Sequence, residues 1–280
     1  MTCPVCCESN CDFFPCSCKA GFHVKCFGKL LLNGFWKRCS CCAERWRADA
    51  VLNSLKNAAI EMPEQLLQKA LALLQCGLTR HAKCDLQRLK SCPSWSHAIR
   101  ARIELAKLKE NADESLKSLR SCAKIAAAIS DGKFLTGLAL IYGAQAYLVL
   151  GRTSEAESLL ASALPHCRRH LDLSTLALRS VAECAKRKKD TVMQVSAWGT
   201  MAKLYSLKND QVGEHACEME RAIVEFMNGT DSSQRVKASL LVLRKHARTD
   251  QPILKRGRCF LSAALKPKRR LRRKTHPEDL

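Results

Sequence analysis

The sequence predicts a mainly α-helical chain with a small metal-braced module at its start and a disordered basic tail at its end. Three observations predict this. Ten of the eighteen cysteines lie in the first 42 residues. From about Ala48 to Ala247 the composition is helix-forming throughout, rich in Ala, Leu, Lys, Glu, Ser and Arg and without β-branched runs. After Asp250 the helical pattern stops, and residues 251–280 hold ten basic and two acidic side chains. The expected divisions are therefore 1–47, 48–250 and 251–280.

Lys and Arg number 47 against 26 Asp and Glu, a formal charge of +21 on 280 residues. A balance this basic points to acidic partners: nucleic acid, an acidic protein face or an anionic surface. At 47% hydrophobic residues the chain is neither wholly disordered nor fibrous. Aromatics at 5% argue against a base-stacking RNA platform. The opening MTCPVCCESN lacks the charged start and apolar run of a secretory signal. Without that route, dense cysteine reads as metal binding rather than disulfides. The best candidate span, Phe134 to Leu150, is short and carries Thr136, Tyr142 and Gln145. It fits a buried helix, and no membrane association is expected.

The cysteines of the first segment fall into pairs. Cys3-x2-Cys6 is followed by nine residues, Cys16-x-Cys18 by four, His23-x2-Cys26 by twelve, and then comes Cys39-x2-Cys42. A tight turn lets side chains two or three positions apart reach one tetrahedral ion, at about 2.3 Å for sulfur and 2.0 Å for nitrogen. Four pairs make eight ligands and two structural zinc ions. A segment of this length buries too little apolar surface to fold alone, and each zinc supplies on the order of 10 kcal/mol. Cys41 could replace Cys39 or Cys42, and Cys7 or Cys11 could compete with Cys6.

This spacing resembles a RING finger over residues 3 to 42. The single His as fifth ligand is similar to the RING-CH variant. The run Phe13-Phe14-Pro15-Cys16-Ser17-Cys18 resembles the RING of the ubiquitin ligase attached to the eukaryotic deadenylase complex, which has Cys where His23 stands here. The resemblance implies a cross-brace, with Cys3, Cys6, His23 and Cys26 on one zinc and Cys16, Cys18, Cys39 and Cys42 on the other. It also implies recruitment of a ubiquitin-conjugating enzyme, with Val5, Leu30 and Leu31 at the positions that touch it. The chain departs from the family at Ser40, where a Pro is common. It departs again at Ala43, where active members carry a polar or cationic residue that Arg45 or Arg47 could replace. Trp36 stands where PHD fingers keep a Trp, so a PHD-like histone reader or a non-catalytic zinc adaptor is the alternative.

In the helical body, Leu66, Leu67, Ala70, Leu71 and Leu74 keep helical spacing between Pro63 near the start and Gly77 at the stop. Further helices are expected over Ser96–Lys109, Ala112–Ile129, Phe134–Leu150, Ser154–His170, Leu173–Lys186, Thr191–Ser206, Gln211–Phe226 and Ser233–His246. Short polar breaks such as Gly151-Arg152-Thr153 and Lys208-Asn209-Asp210 join them. Paired helices with short turns read as a solenoid. Ala144, Tyr147, Gly151, Ala156, Leu160 and Ala163 resemble a tetratricopeptide repeat, and Ala202, Tyr205, Asn209 and Ala222 form a poorer copy. Such repeats would hold a protein substrate. The scattered cysteines from Cys76 to Cys259 form no ligand pairs and read as small hydrophobes. His166 and His170, four apart on one helix, lack a carboxylate partner and read as a solvated face.

In the tail, Lys255-Arg256 precedes the run Lys266 to Lys274, which resembles a nuclear localisation signal read by importin. The same run could bind nucleic-acid phosphates in a salt-dependent way. No nucleophile with a base, phosphate loop or carboxylate pair emerges, so no catalytic residue and no organic cofactor is expected. The sequence reading is a RING-type ubiquitin ligase, nuclear or cytoplasmic, with substrate on its helical repeats.

Overall fold

The computed structural model describes residues 3–6, 8–9, 11, 13–16, 21–33, 46–56, 60, 62–230 and 232–246. Among the described residues it is mainly α, with twelve helices and a single antiparallel bridge, Phe13 to Phe22. They form two compact units, Met1–Ala139 and Leu140–Leu280, and the division falls inside the seventh helix. Among the described residues no helix is long and apolar enough to cross a membrane.

The first unit holds α1 (Val24–Leu32), α2 (Ala48–Lys56), α3 (Pro63–Gln75), α4 (Thr79–Lys90), α5 (Trp95–Lys107) and α6 (Ala112–Ala127). α3 starts on Pro63, and its end is followed by Gly77 at φ +77°. That left-handed position suits a glycine because it has no Cβ to clash. α3, α4, α5 and α6 pack each on the next, while α1, α2 and α3 pack mutually. Asn111 caps α6 by accepting from the backbone N–H groups of Asp113 and Glu114 at 2.9 and 3.3 Å.

Three helices went unassigned in the sequence: α1, α2 and α4. α4 buries Ala82, Leu86 and Leu89, but the same face carries the buried Asp85, which interrupts the apolar stripe. Its carboxylate meets Lys69 of α3 at 3.4 Å, so the polar residue belongs inside. Glu104 of α5 is likewise buried. It lies between Arg100 and Lys107, each at 2.8 Å.

The second unit begins within α7 (Lys133–Val149) and continues through α8 (Thr153–Cys167), α9 (Leu171–Lys188), α10 (Thr191–Ser206), α11 (Gln211–Met227) and α12 (Ser233–His246). From α8 to α12 each helix packs on its successor. All the apolar residues of the first repeat resemblance are buried: Ala144, Tyr147, Ala156, Leu160 and Ala163. Gly151 has φ +75°, and the turn closes by Arg152 N–H donating to the Tyr147 carbonyl at 2.9 Å. The poorer copy buries Ala202 and Ala222 and places Asn209 at φ +55°.

Tyr205 shows why that copy is irregular. A Cβ on Gly213 would stand 2.4 Å from its ring, so α11 approaches the tyrosine through a glycine. Gly213→Ala gains roughly 0.5–1 kcal/mol of helix preference but must displace a ring, at about 1–3 kcal/mol. The expected result is net destabilisation, read as a lower midpoint in thermal denaturation. A midpoint equal to or above that of the parent would contradict it.

Candidate metal centre

The first and third ligand pairs converge. Cys3, Cys6, His23 and Cys26 place their ligand atoms within 4.8 Å of one another. Local structure explains both pairs. Pro4, Val5 and Cys6 form a turn, and Cys3 N–H donates to the Glu8 carbonyl at 2.9 Å. His23 is the residue that caps α1, with φ −81° and ψ 141°, and Cys26 is the third residue of that helix. The helix start therefore aims His23 and Cys26 at one point.

The donor set fits a tetrahedral ion. Four ligands at zinc distances stand about 3.5–3.8 Å apart. Here His23 Nδ1 lies 3.3 Å from Cys6 Sγ and 4.0 Å from Cys26 Sγ. The other ring nitrogen, Nε2, lies 3.3 Å from the Ser9 carbonyl oxygen. A carbonyl only accepts, so this contact puts the proton on Nε2. The Nδ1 lone pair is left facing the sulfurs, as the outer partners of ligating histidines commonly arrange.

The sulfurs differ electrostatically. Burial pushes the Cys3 thiol up, but backbone N–H groups of His23, Cys6 and Val5 outweigh it and bring it down to about 6. Cys26 goes the other way, up to about 11, through burial first and then its interactions with Cys6 and Cys3. The backbone donors thus favour the charged form at Cys3, and burial disfavours it at Cys26. Cys11 stands outside the four-atom group, and burial followed by the charge of Cys3 pushes its thiol up. It packs against Gly21, where a Cβ would come 2.7 Å from the Cys11 Cβ.

Cys16 is buried, 5% exposed, in the apolar core beside the group and is not one of its members. Cys18, Cys39 and Cys42, the rest of the second expected ligand set, lie outside the described residues. So do Cys7, Trp36, Ser40, Cys41, Ala43, Arg45 and the basic tail. Arg47 pairs with Asp49 on the surface, Nε to Oδ1 at 3.2 Å. His166 is half-buried, His170 is exposed, and neither joins a metal-ligating group among the described residues.

The expected enzyme-contact residues separate. Val5 is 40% exposed and Leu30 is half-buried. Leu31 is fully buried in the apolar core of the unit. Sequence reasoning also missed Trp46. It packs edge-on against Phe27 with ring centroids 4.9 Å apart, and against Phe22 at 6.0 Å. No family model matches the chain, and neither a curated protein nor a solved structure is similar to it.

Proposed function

We propose that the chain is a RING-type ubiquitin ligase. One observation carries this reading: the group joins the first ligand pair to the third, Cys3 and Cys6 to His23 and Cys26, and leaves out Cys16 between them. Passing over Cys16 to join the first pair to the third is the order a cross-brace requires. The ion at this group would be zinc, suited by three sulfurs and one imidazole. Four protein ligands leave no open position, so its role would be structural. A second zinc on Cys16, Cys18, Cys39 and Cys42 completes the proposal.

Transfer would then work by proximity, with the braced surface around the exposed Val5 holding a loaded conjugating enzyme beside a substrate lysine. The helical repeats would hold the substrate. The basic run Lys266 to Lys274 supports entry into the nucleus through importin.

The test is autoubiquitination of the full chain with a panel of conjugating enzymes, beside Val5→Arg, with zinc measured on both. The expected result is transfer by the parent, loss in the variant, and equal zinc in each. Equal zinc with no transfer by either chain would sink the ligase reading and leave a zinc adaptor.

A further inference from the structure

The second unit contains a cavity of about 800 Å³ bounded by α7, α9, α10 and α11. One part of its lining is apolar. Val149 and Met227, at the ends of α7 and α11, are 78% and 76% exposed, and Trp198 of α10 is half-buried beside them in the lining. Large apolar side chains that open to solvent around a cavity are the usual mark of a binding site.

The charge of the lining is one-sided. Arg179, Lys186, Arg187 and Lys189 line it against two carboxylates, Glu183 and Glu220. Glu183 is already engaged by Arg187 at 3.3 Å and Lys186 at 3.9 Å, and Glu220 is buried. Helix C-termini bring partial negative charge, which has to be set against these cations. Their carbonyls are largely occupied. Arg187 donates to the Leu148 carbonyl, Asn228 to that of Val224 at 2.7 Å, and Asp190 N–H to that of Ala185 at 2.8 Å. Arg179 and Lys189 are exposed and make no ion pair among the described residues. Positive charge thus remains available beside an apolar seat.

We propose that this cavity binds a short acidic segment of a partner protein. A large apolar side chain of that segment seats between Val149 and Met227, and its carboxylates meet Arg179 and Lys189. Charge complementarity selects this occupant. The chain's own residues 251–280, with ten basic and two acidic side chains, carry the same sign as the cavity. Nucleic acid would leave the apolar seat unused. As the place where a substrate is chosen, the site rests on the ligase reading above; peptide binding itself does not, and it is measured without ubiquitin or conjugating enzyme.

The test is fluorescence anisotropy of the full chain with a labelled peptide that alternates pairs of Glu with pairs of Leu. The controls carry Lys for Glu, or Ser for Leu. The expected result is binding of the first peptide alone, weakening as salt rises. Arg179→Glu combined with Lys189→Glu is expected to weaken it roughly tenfold or more. Val149→Ser combined with Met227→Ser is expected to weaken it with helical circular dichroism unchanged, since all four residues are exposed. Equal binding of the Lys peptide, unchanged affinity in both double variants, or displacement by a single-stranded oligonucleotide would overturn the proposal. So would binding that emerges only when residues 251–280 are deleted, because the chain itself would then be the occupant.

Discussion

Cys26→Ser is expected to strip the metal from the Cys3, Cys6, His23 and Cys26 group and to unfold its surroundings. A structural zinc contributes on the order of 10 kcal/mol to a small module, more than the usual 5–15 kcal/mol stability of a domain can lose safely. The four ligand atoms sit on two short pieces of backbone, a turn and the first helical turn of α1. Among the described residues, the backbone links nearest the group are the Phe13 to Phe22 bridge and Cys3 N–H to the Glu8 carbonyl. Zinc content by atomic absorption and hydrogen exchange over α1 would report the loss, while α8 to α12 keep their protection. A variant that holds its full metal content and protects α1 like the parent would remove the metal centre from the structure's account.

The pH dependence follows from the two displaced sulfurs. Ligation needs deprotonated thiols, so protons leave as metal binds. Above about pH 6 Cys3 is already a thiolate, whereas Cys26 keeps its proton up to about 11 and must release it. Cys26 therefore costs affinity at any neutral pH. Below about 6 Cys3 adds a further proton to displace, and affinity should fall more steeply, by roughly an additional tenfold per pH unit. Zinc titrations in competition with a chelator, run across that range, would check the break. A slope that does not steepen on acidification would contradict the assignment of Cys3 as the thiolate.

Parts of this molecule were legible in the sequence because their causes are local. A pair of ligands two residues apart declares itself by spacing alone, and so do a glycine at a helix stop and a Leu stripe at helical period. The helices from α5 to α12 were expected within a few residues of their observed bounds for that reason. What depends on phase or on distant partners was not legible. Leu30, Leu31 and Leu32 are three leucines in a row, and only the start of α1 at Val24 decides that Phe27 and Leu31 share the inner face. Asp85 disguised α4 because its lysine partner lies on α3. The cavity of the second unit draws lining from four helices, and no window of sequence contains it.

Trp46→Ala should cost about 3–5 kcal/mol, the range for emptying a large buried aromatic site. The residue is 5% exposed and joins three rings in one cluster. Phe27 stands at the centre, 5.7 Å from Phe13, 5.6 Å from Phe22 and 4.9 Å from Trp46. The same core continues through Val51 and Leu55 of α2, Ala72 and Leu73 of α3 and Ala82 of α4. Beside Trp46, Arg47 N–H donates to the Pro15 carbonyl at 2.8 Å, so the backbone here is tied to the metal-binding segment as well. The tryptophan therefore links the surroundings of the Cys3, Cys6, His23 and Cys26 group to the first helices of the body. Its loss should lower the thermal midpoint by roughly 10 °C and speed zinc release together, since both depend on one core. Trp46→Phe, which keeps an aromatic in the site, should recover most of both. If zinc release in Trp46→Ala matched the parent while the midpoint fell, the metal-binding segment would be packing independently of α2 to α4. The apolar contacts running from Phe22 to Ala82 would then carry no coupling.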